Sequence, residues 1–157
     1  MIADTHLPRG SRRLPGACVQ ELERADLILH AGDVVAASVL RELEAFAPVE
    51  AVHGNMDEPA LKEALPERRV VEVEGARIGL LHVAGPRAGR EERLASWFPA
   101  CEAVVYGHTH IPQVEEHLGV WILNPGSPTE RRRAPHRSMI VFDVTKKRFE
   151  PRLLELS

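Results

Sequence analysis

Ala103-Val104-Val105-Tyr106 is a short apolar run that opens directly into Gly107-His108-Thr109-His110. The run reads as a buried strand. Side chains alternate along a strand, so His108 and His110 are expected to leave the sheet edge on one side, as a pair of metal ligands. The same order recurs along the chain. Asp4-Thr5-His6 follows the first residues, Gly32-Asp33 follows Asp26-Leu27-Ile28-Leu29-His30, Gly54-Asn55 follows a strand over 48–52, and His82 follows Ile78-Gly79-Leu80-Leu81. A single His-x-His pair is a common loop feature. Five such clusters at five strand ends predict one site.

The intervening sequence supplies helices and hairpins. Helices are expected over 15–25, 36–46, 58–65 and 89–98; Val39, Leu40, Leu43 and Phe46 carry the helical spacing in the second, and Leu94, Trp97 and Phe98 share a face of the last. Strands over 70–73 and 76–82 flank Glu74-Gly75, and strands over 113–117 and 120–123 flank Leu118-Gly119, both hairpin signals. Strands over 139–144 and 149–154 close the chain around a turn at Lys146-Lys147. Alternating strands and helices followed by hairpins predict an α/β fold of mixed α+β character. Two sheets pack face to face with helices outside, in one domain over residues 1–157.

Composition narrows the function classes. A chain of 157 residues suffices for a core without a disulfide framework. Cys18 and Cys101 lie far apart and outside any Cys-x-x-Cys pattern, which reads as two small buried hydrophobes. No apolar run approaches the roughly 20 residues that span a bilayer, and no secretory signal opens the sequence. A cytoplasmic, membrane-free protein is expected. The net charge of −3 argues against a nucleic-acid binder, and aromatics at 4% leave no base-stacking platform.

The ligand-type residues define a chemistry. Asp4, Asp33 and Asn55 offer oxygen; His6, His82, His108 and His110 offer nitrogen; no sulfur is present. That is too many donors for one tetrahedral zinc and suits two borderline divalent ions, with manganese first and iron, nickel, cobalt or zinc as alternatives. Asp33 can bridge them. Two ions against Asp4 and Asp33 leave a charge of about +2, or about +1 with a bridging hydroxide, which attracts a phosphate anion. Paired ions roughly 3.5–4 Å apart clamp an in-line displacement and lower the pKa of bound water from about 15.7 to about 7. Hydrolysis of a phosphate ester by metal-bound hydroxide uses every part of this inventory.

Asp4-x-His6, Gly32-Asp33, Gly54-Asn55-x-Asp57, His82 and Gly107-His108-x-His110 occur in the order of the calcineurin-like metallophosphoesterases, and nearly the whole chain resembles that family. Asn124-Pro125-Gly126-Ser127-Pro128 resembles its small prokaryotic phosphodiesterase branch. The resemblance implies a four-layer αββα sandwich with a dimetal site at strand ends, and it allows a homodimer. It also implies a division of ligands: Asp4, His6, Asp33 and His110 for one ion, and Asp33, Asn55, His82 and His108 for the other. The latter four are the expected catalytic residues. A small or nucleotide-derived phosphodiester is the expected substrate, with a phosphomonoesterase or a non-catalytic scaffold as the alternatives.

Three departures from the family pattern bear on this reading. Only Met1-Ile2-Ala3 precede Asp4, a stub where the family has a full strand, so the natural start is expected upstream of Met1. Met56 stands where larger relatives have a histidine that protonates the leaving group, which favours diesters or good leaving groups. Val83-Ala84 replaces the Gly-His that often follows the third ligand segment, although His82 is retained.

Other candidates take plainer readings. His30 is expected to be interior, His53 to pack, and His117 and His136 to lie at the surface. Ser127 reads as a turn residue. Asp57 is read either as touching the site or as stabilising its turn. Arg9, Arg12 and Arg13 and the run Arg131, Arg132 and Arg133 read first as solvated charge, and second as phosphate contacts.

Overall fold

The computed structural model describes residues 1–145 and 148–157, so the turn expected at Lys146-Lys147 lies outside the described residues. The elements are α1 (Gly16–Glu23), β1 (Ile28–Ala31), α2 (Ala37–Glu44), β2 (Val49–Val52), α3 (Pro59–Ala64), β3 (Arg68–Val73), β4 (Ala76–Leu81), α4 (Arg90–Trp97), β5 (Ala103–Val105), β6 (Gln113–His117), β7 (Val120–Asn124), β8 (Arg137–Thr145) and β9 (Arg148–Leu156). Each expected helix and strand is present, with its ends moved by a residue or two.

One sheet has the order β3-β4-β5-β7-β6, parallel through β4-β5 and β5-β7 and antiparallel in its two hairpins. The other layer joins two pairs, parallel β1-β2 and antiparallel β8-β9. Residues 1–3 connect them: Ile2 bridges His30, while the Ile140 N–H donates to the Met1 carbonyl at 3.1 Å and the Met1 α-amino group donates to the Ile140 carbonyl at 2.6 Å. The expected stub is thus a single bridge at Ile2 rather than a ladder.

Alternation decides which layer each strand residue enters. Leu29, Ala31, Val52, Ile78, Leu80 and Val105 meet between the sheets. Ile2 and Ile28 turn outward, against Cys18 and Leu22 of α1, Val39 and Leu43 of α2 and Leu61 of α3. Leu81, Val104, Tyr106 and Ile122 turn the other way, against Leu94 and Phe98 of α4. The result is four layers, helix–sheet–sheet–helix, each interface burying leucines and isoleucines worth about 1.5–3 kcal/mol apiece. Gly79 is required by this packing, because a Cβ there would sit 2.4 Å from the Phe98 ring. Trp97 packs half-buried against the same cluster as Leu94 and Phe98, with the Arg68 guanidinium 3.9 Å above its ring. Cys18 and Cys101 are both free and buried, as expected.

Candidate metal centre

The C-terminal ends of parallel strands converge at one edge of the sandwich, the usual place for a ligand site in such sheets. β1 leads into Gly32-Asp33, β2 into Gly54-Asn55, β4 into His82 and β5 into 107–110, with Asp4 and His6 arriving beside β1. All seven expected donors meet there. His110 Nε2 lies 3.2 Å from Asp4 Oδ1 and 3.2 Å from His6 Nε2, and His6 Nε2 lies 3.8 Å from Asp4 Oδ1. Beside this group, His82 Nε2 is 3.3 Å from Asp33 Oδ2 and 3.1 Å from Asn55 Oδ1, and His108 Nδ1 is 3.0 Å from Asn55 Oδ1. Asp33 Oδ2 also lies 3.6 Å from His6 Nε2, so it stands between the two groups.

The backbone achieves this convergence differently from the expectation. Asp4, His6, Asp33, His108 and His110 all have positive φ, between 48° and 71°. That left-handed region is uncommon outside glycine and concentrates at functional sites. β5 ends at Val105, so pleat alternation does not reach His108 and His110: His110 is buried and His108 is exposed. The pair is splayed by its loop rather than aligned by a strand. Asp4 and His6 likewise meet through a left-handed turn.

The glycines serve neighbouring side chains. A Cβ at Gly32 would fall 2.7 Å from the His82 ring. A Cβ at Gly54 would lie 2.1 Å from Asp33 Oδ1, and one at Gly107 would lie 2.9 Å from Asp4 Oδ2. Each glycine leaves room for a donor to reach its position.

A supporting set of hydrogen bonds holds the donors. His82 Nδ1 faces the Ala31 carbonyl at 2.8 Å, which turns Nε2 into the site. The Met56 N–H donates to Asp33 Oδ1 at 2.8 Å, and the His108 N–H donates to Asp4 Oδ2 at 2.9 Å. Asp57 accepts from the N–H groups of Val35 and Gly54, so its role is to clamp the two ligand loops together. Ser127 Oγ donates to the Asp4 carbonyl at 2.7 Å and Thr129 Oγ1 donates to the Thr5 carbonyl at 2.8 Å. Ser127 is therefore structural, as expected. Asn124 is buried and its amide donates to the Gly107 carbonyl and to Thr109 Oγ1, fixing the loop that carries both histidines. The sequence flagged Asn124 only as part of a motif; its buried polar position is the signal that gives it a role.

Charge and burial fit a cation. Asp4 Oδ1 is buried without a hydrogen-bond donor, a costly state for a carboxylate that a positive ion would relieve. Asp4, His6 and His110 form one set of converging donor atoms, and Asp4, Asp33 and His82 form another. Burial holds the His6 and His108 imidazoles below their usual range, which favours the neutral, ligand-competent form. Burial would also raise the Asp33 carboxyl, but His82, the Met56 N–H and His6 outweigh it and lower it to about 2. His82 shows the reciprocal effect: burial opposes its charge, and Asp33 with Asp4 outweighs that and raises it.

The remaining candidates fall outside the donor set. His30 is interior, its Nε2 3.1 Å from Thr5 Oγ1, and burial pushes it down to about 3. His53 is half-buried and lines a cavity of about 230 Å³ beside Asn55 and His82. His136 is exposed, whereas His117 is only partly so. Arg9, Arg13, Arg131, Arg132 and Arg133 are exposed. Arg12 is the exception, half-buried and bonded through Nη2 to Glu130 Oε1 at 3.0 Å.

Comparison with known proteins agrees with this fold. The model of the calcineurin-like phosphoesterase superfamily domain matches residues 1–147, and the chain belongs to that superfamily. A protein of Methanothermobacter thermautotrophicus named a probable metallophosphoesterase is 38% identical over 143 residues, 90% of this chain and 83% of that protein. A Thermotoga maritima protein solved in solution superimposes with a TM-score of 0.76 at 34% identity, covering 99% of this chain and 96% of that one. A single mutant of Vps29 from Entamoeba histolytica reaches a TM-score of 0.78 at 23% identity, covering 99% and 97%, a likeness of fold. Family membership supports a metal-dependent phosphoric ester hydrolase. No described helix is long and apolar enough to cross a membrane.

Proposed function

We propose that this chain, as one metallophosphoesterase domain, is a dinuclear metal-dependent phosphodiesterase acting on a small or nucleotide-derived diester. The observation that carries this reading is Asp33 Oδ2, which lies 3.6 Å from His6 Nε2 on one side and 3.3 Å from His82 Nε2 on the other. Asp4, His6, Asp33 and His110 would hold one ion, and Asp33, Asn55, His82 and His108 the other. Manganese is the first choice, and the all-oxygen-and-nitrogen donor set equally admits iron, nickel, cobalt or zinc. Bound there, the ions supply charge to phosphoryl oxygens and lower the pKa of a water.

The chain's own residues do the rest. Asn55 and His108 are exposed, so substrate approaches from their side, while the buried Asp4, His6 and His110 fix the far wall. Neutral His108 keeps one ring N–H, which can donate to a phosphoryl oxygen there. Met56, 38% exposed beside Asn55, offers no proton to a leaving group, which favours diesters over monoesters of poor leaving groups. Kinetics on bis(p-nitrophenyl) phosphate and p-nitrophenyl phosphate with added manganese test the reading. A higher kcat/KM for the diester is expected; a preference for the monoester contradicts the diesterase, and inertness toward both favours a scaffold.

A further inference from the structure

Two buried polar atoms that make no hydrogen bond face each other behind the site. His110 Nδ1 and Glu130 Oε2 each lack a hydrogen-bond partner among the described residues, and they lie 4.0 Å apart. His110 directs its other nitrogen, Nε2, at Asp4 and His6, so Nδ1 is the back of the ring. We propose that Glu130 is the positioning residue for His110, accepting a hydrogen bond from Nδ1–H and fixing the tautomer whose Nε2 faces the metal.

Ligating histidines almost always hand their second N–H to an acceptor, which sets the ring's tautomer and orientation. His82 has the Ala31 carbonyl for this at 2.8 Å. For His110 the facing acceptor is Glu130. A normal N–H···O distance is about 2.9 Å, so an approach of about 1 Å by a side chain completes the bond. The carboxylate is held in place by its neighbours. Arg12 Nη2 binds Oε1 at 3.0 Å, Arg132 Nε lies 3.5 Å from Oε2, and the Glu130 N–H donates to Ser127 Oγ at 3.0 Å. Burial works to raise the Glu130 carboxyl, but Arg12 and Arg132 outweigh it and keep it ionised. A carboxylate behind an imidazole also makes Nε2 a stronger base and a better ligand than a backbone carbonyl does. Two arginines otherwise read as solvated charge thereby act on the site through Glu130.

This role presupposes the metal site proposed above, so its test has a part that needs no metal. In metal-free protein, long-range ¹H–¹⁵N spectra of the imidazoles are expected to place the His110 proton on Nδ1. Glu130→Ala should shift His110 toward the other tautomer, and Glu130→Gln, which keeps an acceptor oxygen, should restore Nδ1–H. Calorimetric titration with Mn²⁺ should then show one site weakened roughly 10–100-fold in Glu130→Ala and less in Glu130→Gln. Unchanged His110 spectra in a folded Glu130→Ala protein would overturn the proposal, as would a proton on Nε2 in the unmodified chain. If the unmodified chain binds no Mn²⁺, the metal site fails, and the spectra alone still decide whether Glu130 sets the tautomer.

Discussion

Asp4, His6 and His110 are sealed beneath the loop that carries Ser127, Thr129 and Glu130, whereas Asn55 and His108 stand exposed across Asp33 from them. The sealed side is held from behind by bonds that reach more than a hundred residues along the chain. The open side is held by the Asp57 clamp, by the bond from Lys62 Nζ to the Asn55 carbonyl at 2.9 Å, and by the His108 N–H on Asp4 Oδ2. Preorganised donors lose less freedom on binding than mobile ones. Under the dinuclear reading, the sealed side therefore holds its ion more tightly, and the open side exchanges its ion and admits substrate.

Asp33 is the point where that contrast can be broken outright. Asp33→Ala should remove both sites' shared ligand and lower turnover by about 1,000-fold or more, since metal stabilisation of transition-state charge amounts to several kcal/mol. Steady-state kinetics with saturating manganese would measure it. A near-normal rate would mean that the two donor sets act independently.

His108→Ala separates the two sides. Turnover should fall at least ~100-fold while one tight ion is kept, and the melting temperature should hardly move because an exposed ring is removed. Full activity in this variant contradicts a role for the open side. Gly54→Ala tests packing instead: its Cβ would meet Asp33 Oδ1, so a loss of about 1–3 kcal/mol is expected in denaturant unfolding.

The smallest effect is a slope with pH. His30 has the ordinary imidazole value of about 6.5 when unfolded, and burial pushes it down to about 3 in the fold, which favours its neutral form. Stability present above about pH 6.5 is thus lost as pH falls toward 3, by on the order of a few kcal/mol. In chelator, the acid slope of the unmodified protein should be steeper than that of His30→Asn. Equal slopes would mean that His30 takes up protons without cost to the fold.

The sequence carried the strands and helices because their signals are local: apolar runs for β1 and β5, helical spacing for α2, and Gly-bearing turns for the hairpins. The residues that converge at the candidate centre were legible for the same reason, since all but Asp4 and His6 follow such a run. Orientation was not legible. The left-handed backbone at His108 and His110 begins where the strand period stops, so alternation gave the wrong direction. Asn124 and Glu130 were equally hidden as supports, because their partners are set by tertiary contact and no local spacing encodes it.

Calorimetric titration of the metal-free chain with Mn²⁺ tests the central claim most directly. Two ions per chain, one bound distinctly more tightly than the other, is the predicted result. One ion per chain, or none, would contradict it.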